Sequence, residues 1–214
     1  MSFFVTGTDT EVGKTFFTAL LVRALRTAGI DAVAFKPVAC GGWDDVDALA
    51  AAANGVELRE AICPYHFSMP ASPLTAAWAE QATIEPARIL DAYEQLRARH
   101  AMVIVEGVGG WRVPITVEWS VADLATQLAL PVVVVVKNRL GAINHTLLTL
   151  ESIASRGLDC AGIVLNHAEM SHDPASRSNR ATFEMLPGVR VLCELVHGQA
   201  SLHLPSLALP GVRL

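Results

Sequence analysis

The segment Gly7-Thr-Asp-Thr-Glu-Val-Gly13-Lys14-Thr15 constrains this chain more than any other. It follows a short β-prone run, Ser2 to Thr6, and leads into Lys14 to Ala28, whose spacing is helical and which Gly29 stops. Strand, glycine-bounded loop and helix together form a phosphate-binding P-loop. Its backbone N–H groups and the positive end of the helix dipole attract phosphate oxygens, Lys14 reaches the β- and γ-phosphates, and the Thr15 hydroxyl ligates magnesium. Gly7 and Gly13 are separated by five residues instead of the usual four, so Thr8 stands where the first glycine normally would.

The rest of the chain alternates in the same way. Ala32 to Phe35 can form a second strand, Pro37 to Trp43 a loop with two glycines, and Val46 to Ala53 a short helix. Residues 60 to 75 are punctuated by proline and read as mostly irregular. Glu85 to His100 has helical spacing, and Met102 to Val105 is a buried-type strand that delivers Glu106 into the Gly107, Gly109, Gly110 loop. Val121 to Leu128 predicts a helix, Val132 to Val136 a central strand, and Ile143 to Ser155 a helix after Gly141. Cys160 to Leu165 and Arg190 to Leu195 supply further strands around a helix over 178–186. This order predicts right-handed βαβ crossovers, hence an α/β, P-loop NTPase-type, mostly parallel sheet with helices on both faces. A single domain over 1–214 is expected, with ligands at the carboxyl ends of the strands.

Composition narrows the function. Hydrophobic residues make up 52% and charged residues 17%, which suits strands buried on both faces. The longest apolar candidate, Leu128 to Val136, contains Pro131 and falls well short of the roughly 20 residues that a spanning helix requires. MSFFVTGTDTE has no basic region followed by an apolar run, so no membrane and a cytoplasmic address are expected. Cysteines 40, 63, 160 and 193 form no CxxC pair and suit neither a zinc knuckle nor a disulfide framework. A net charge of -5 with scattered basic residues gives no support for nucleic-acid binding, which favours a small-molecule substrate. Of 16 Lys and Arg residues only Lys14, Lys36 and Lys137 are lysines, so a chain that otherwise uses Arg has kept a compact ammonium at a few positions.

Magnesium beside a triphosphate needs hard oxygen ligands from the protein. Glu106 follows a buried strand directly, as a Walker B acid does. A second carboxylate comes from Asp44, Asp45 or Asp47, among which spacing does not choose. Lys36 ends the second strand at the sheet's ligand edge, where it could stabilise charge near the γ-phosphate. Asn166, at another strand end, suits a purine reader or a turn equally well.

FVTGTDTEVGKT (Phe4 to Thr15), FKPVACG (Phe35 to Gly41), VEGVGGW (Val105 to Trp111) and LGAINH (Leu140 to His145) resemble, in order and spacing, the signature segments of dethiobiotin synthetase. The five-residue gap between the first glycines is a trait of that family. The resemblance implies a homodimer that converts 7,8-diaminononanoate, CO2 and MgATP into dethiobiotin, ADP and phosphate through a phosphorylated carbamate. Thr15, Asp47 and Glu106 resemble the magnesium ligands, Asp47 being singled out by its Asp-Ala-Leu context. Lys14 and Lys36 resemble the lysines around the transferred phosphoryl group. Thr10, Glu11, Val12, Gly13 and Phe16 belong to the phosphate loop, Gly107, Val108 and Gly109 to the loop beside the nucleotide, and Asn166 to the adenine site. Thr10, Lys36 and Cys40 would face the substrate. Gly141, Ala142, Ile143 and Asn144 would hold its carboxylate across the dimer interface.

This chain departs from the family pattern at Cys40, where Ser is expected, in its short loop from Gly41 to Asp47, and at Glu194-Leu195-Val196 in place of Glu-Ile-Pro. A partition-type ATPase switch is the main alternative. Such proteins carry an extra lysine early in the P-loop, where this chain has Thr8-Asp9-Thr10-Glu11. A corrin side-chain amide synthetase would bring a glutaminase-type Cys-His domain, of which the sequence has no sign.

Overall fold

A computed structural model describes residues 2–168, 174–207 and 209 of the chain. The P-loop lies between β1 (Phe3–Gly7) and α1 (Lys14–Thr27). Next come β2 (Ala32–Phe35), β3 (Val38–Cys40), α2 (Asp44–Ala52), α3 (Arg59–Ile62), β4 (Tyr65–Phe67), α4 (Pro73–Ala79) and α5 (Pro86–Arg99). After these follow β5 (Met102–Glu106), α6 (Val121–Leu128), β6 (Val132–Lys137), α7 (Ala142–Ala154) and β7 (Cys160–His167). The described part ends with α8 (Asn179–Met185), β8 (Val191–Val196) and α9 (Leu204–Leu207).

Six strands pair in the order β2-β5-β1-β6-β7-β8, every neighbouring pair parallel. All residues of β1, β2 and β5 are buried, as strands covered on both faces must be. Their β-branched and aromatic side chains suit the pleated surface and explain why these runs extend. Winding changes direction at β1, which lies between β5 and β6, so a crevice opens at its carboxyl end. Gly7 and Glu106 end β1 and β5 at that edge, and Lys36 follows β2 there.

Local signals set the helix boundaries. The Ser120 hydroxyl accepts from the Asp123 backbone N–H, while the Asp123 carboxylate accepts from the Ser120 N–H at 2.8 Å; this reciprocal cap starts α6. Pro73 and Pro86 open α4 and α5, where a missing N–H costs nothing. Helix α2 starts at Asp44 instead of Val46, since Asp44, Asp45 and Asp47 favour the positive end of the helix dipole.

Two stretches expected to be irregular are not. Residues 37–43 contain β3 and residues 60–75 contain β4, and these pair in parallel as a separate two-stranded sheet with Val38 opposite Tyr65 and Cys40 opposite Phe67. Most of α3 and the start of α4 also fall in the second stretch. Strands this short cannot show a period, and each exists because of a partner distant in sequence. Among the described residues, no helix is long and apolar enough to cross a membrane.

Candidate active site

The P-loop is held from two sides. The Thr8 N–H donates to the Val135 carbonyl at 3.1 Å, and the Phe17 N–H donates to the Gly13 carbonyl at 3.0 Å as α1 begins. Gly13 adopts φ 93, and a Cβ there would lie 2.0 Å from Asn166 Nδ2, so the position requires glycine for both conformation and space. Glu11 is also left-handed at φ 57, and left-handed turns of this kind build anion-binding concavities from successive backbone N–H groups.

A cleft of about 750 Å³ opens above the loop. Thr10, Glu11, Gly13, Lys14, Thr15 and Phe16 line one side, Lys36, Cys40 and Asp45 another, and Val108, Gly109 and Val113 a third. Val12 and Gly107 support the cleft from behind: Val12 is 2% exposed, and the Gly107 N–H donates to the Val5 carbonyl. The segment Pro70, Ala71, Ser72 and Pro73 closes the remaining wall. Sequence reasoning missed this wall, although Ser72-Pro73 was a legible helix start.

At the floor of the cleft, charges converge. Lys36 Nζ donates to Glu106 Oε1 at 2.8 Å and also to the Asp45 carboxylate, while the Thr15 hydroxyl donates to the same Glu106 oxygen at 2.7 Å. Glu106 is fully buried, and its second carboxylate oxygen has no partner. A buried carboxylate oxygen without a partner is costly unless a further charge or donor meets it. Burial would raise Asp45, but the charge of Lys36 and its hydrogen bond hold it below the ordinary carboxylate range. Lys36 is depressed by burial, yet the charges of Glu106 and Asp45 outweigh this and hold it above the usual lysine range. Lys14, whose Nζ lies 3.3 Å from the Asp9 carbonyl oxygen, is lowered to about 8, chiefly by burial, with Glu106 opposing and Lys36 adding to the effect. An added anion such as phosphate would raise it again. Burial pushes the Cys40 thiol up to about 11, which makes it a poor nucleophile.

The expected second carboxylate needs correction. The structure brings Asp45 into the cleft and leaves Asp47 on the outside, paired with Arg59 at 2.5 Å and half-exposed. On a helix, positions i and i+2 lie about 200° apart, so α2 can direct only one of the two acids at Lys36. Two carboxylates, one of which has an oxygen without a partner, and a threonine hydroxyl make a hard-oxygen set that fits magnesium, with phosphate and water supplying the remaining ligands.

Asn166 lies behind the phosphate loop. It is 3% exposed, its Nδ2 donates to the Val12 carbonyl at 2.8 Å, and its Oδ1 is buried without a partner. Its amide braces the phosphate loop from behind. Asn166→Leu is therefore expected to raise KM by on the order of tenfold for ATP and for a non-adenine triphosphate alike, since a brace is blind to the base. Steady-state kinetics with both nucleotides check this; a loss confined to ATP would restore the base-reading role. Gly141, with φ 87, precedes α7, where Ala142 is buried, Ile143 half-buried and Asn144 exposed. None of the four lines the cleft, although nearby Arg139 lies 3.8 Å from Asp9 of the P-loop.

The chain is similar to several known proteins. A family model described as an AAA domain matches residues 1–199. The ATP-dependent dethiobiotin synthetase BioD of Akkermansia muciniphila is 46% identical over 207 residues, 92% of this chain and 93% of the relative. The protein of the same name from Anaeromyxobacter dehalogenans (strain 2CP-C) is 49% identical over 187 residues, 86% of this chain and 84% of the relative. Among solved structures, a ParA family ATPase from Chlorobium tepidum TLS superposes with TM-score 0.57 at 15% identity, covering 92% of this chain and 85% of that one. That likeness establishes the shared fold and carries no further weight.

Proposed function

Because this chain belongs to the family of ATP-dependent dethiobiotin synthetases, ligases of biotin biosynthesis, we propose that it carboxylates and closes 7,8-diaminononanoate with CO2 and ATP. One amine adds CO2 and loses a proton, giving a carbamate. A carbamate oxygen attacks the γ-phosphorus and ADP leaves; the second amine then attacks the carbamoyl carbon, and the ring closes as phosphate departs. The protein's task is to align a weak nucleophile and neutralise charge.

The observation that carries this reading is the convergence of Lys36, Asp45, Glu106 and Thr15 on one point beside the P-loop. Thr15, Asp45 and Glu106 would hold magnesium, which when bound neutralises phosphate charge. Lys14 would bind the β- and γ-phosphates, and Lys36 would face the carbamate and the transferred phosphoryl group. Thr10 and Cys40 line the same cleft and are read as substrate contacts, the thiol being a weaker donor than the expected hydroxyl. Gly141 to Asn144 are read as the carboxylate site of a second protomer, because they lie outside the cleft lining of their own chain. Leu140 and Leu148, exposed at 78% and 57%, offer apolar surface beside them for a homodimer. A cytoplasmic setting, where ATP is supplied, belongs to the same proposal.

Phosphate release from MgATP, measured with and without diaminononanoate and CO2, tests the proposal. Release is expected only when both are present, with dethiobiotin formed in equal amount. Stimulation by a protein or lipid partner in place of the diamine would favour the ATPase switch and defeat the synthetase reading.

A further inference from the structure

One ammonium contacts both acids assigned to the metal. Lys36 Nζ meets Glu106 Oε1 at 2.8 Å and the Asp45 carboxylate, and the Thr15 hydroxyl is bonded to the same Glu106 oxygen. The Lys36 side chain is 6% exposed and that of Glu106 is 0% exposed, so water screens their contact little. We propose that Lys36 positions the two metal carboxylates and competes with the metal for them, so that the cation enters only with a nucleotide whose phosphates draw the ammonium away. The inference rests on the assignment of Asp45, Glu106 and Thr15 as magnesium ligands.

Two arguments support it. Carboxylates brought this close repel unless a cation lies between them, and Lys36 is that cation. Lys14 and Lys36 also balance Asp45 and Glu106 in charge. A bare dication would add positive charge that nothing compensates, whereas a triphosphate carries more negative charge than its metal neutralises and offers Lys36 new oxygens.

Mn2+ titration of the nucleotide-free protein, followed by electron paramagnetic resonance and by thermal melts, tests the competition. Wild type is expected to show no saturable uptake and no melting shift up to about 10 mM metal. Lys36→Met, which keeps the chain length and removes the charge, should bind bare Mn2+ at least about tenfold more tightly and melt higher with it. Wild type that takes up bare Mn2+ at micromolar concentration would overturn the proposal, and this arm stands even if Lys36→Met does not fold. A folded Lys36→Met with wild-type affinity for the bare metal would also overturn it. Asp45→Asn and Glu106→Gln, titrated with Mn2+ and ADP, test the ligand assignment separately. Weakened metal uptake there supports the assignment, and unchanged uptake would refute it and remove the basis of the competition.

Discussion

Glu106→Gln is expected to lower turnover by on the order of 100- to 1000-fold and to raise the magnesium concentration needed for half-maximal rate. Asp45→Asn should do the same. Asp47→Asn should stay within about threefold of wild type, as replacements of exposed paired charges generally do. Glutamine keeps the shape of Glu106 but removes the charge of a fully buried carboxylate whose second oxygen has no protein partner. The loss therefore falls on whatever cation that oxygen would meet. The two aspartates are a control built into one helix turn: Asp45 reaches Lys36, and Asp47 reaches Arg59. Kinetics across a magnesium titration, with a thermal melt for each variant, decide the matter. An unchanged magnesium titration for Glu106→Gln, or equal damage from both aspartate variants, would remove the metal assignment.

The second large effect concerns Lys36. Lys36→Ala and Lys36→Arg should both lose on the order of 100- to 1000-fold in turnover, with ATP affinity near normal. The ammonium has three donors. Without nucleotide Glu106 and Asp45 hold it, and once phosphates draw it from them its donors serve the oxygens in the cleft. A planar guanidinium presents its donors as a wide fork and cannot place them in this buried, three-sided position. Contact that strengthens as charge shifts onto the oxygens in the transition state affects turnover more than binding. A Lys36→Arg enzyme that turns over within a few-fold of wild type, at normal melting temperature, would refute the role.

The P-loop was legible because its chemistry is contiguous. Backbone N–H groups, Lys14 and Thr15 come from one short segment, and the flanking apolar runs identify a buried strand and a helix without reference to the rest of the chain. Glu106 and Lys36 were legible for a similar reason: each directly follows a buried strand, and in a parallel sheet strand ends share one ligand edge. Lysine scarcity added weight to Lys36. The Cys40 substitution could be read from sequence, but its chemical effect depended on burial, which raises the thiol beyond easy ionisation.

What sequence determined by itself was therefore the α/β class, the phosphate loop and the strand-end charges, all fixed by short-range pattern. What tertiary structure decided was orientation. Asp45 and Asp47 are close neighbours in sequence with the same side chain, and only the rotation of α2 against α1 and β2 brings one to Lys36. Asn166 is 154 positions from Val12, yet its amide holds that carbonyl because β7 ends behind the P-loop. The wall at Pro70 to Pro73 depends on β4 finding β3 far along the chain. Each of these contacts depends on where the sheet carries distant segments, and residue type and spacing contain no record of that placement.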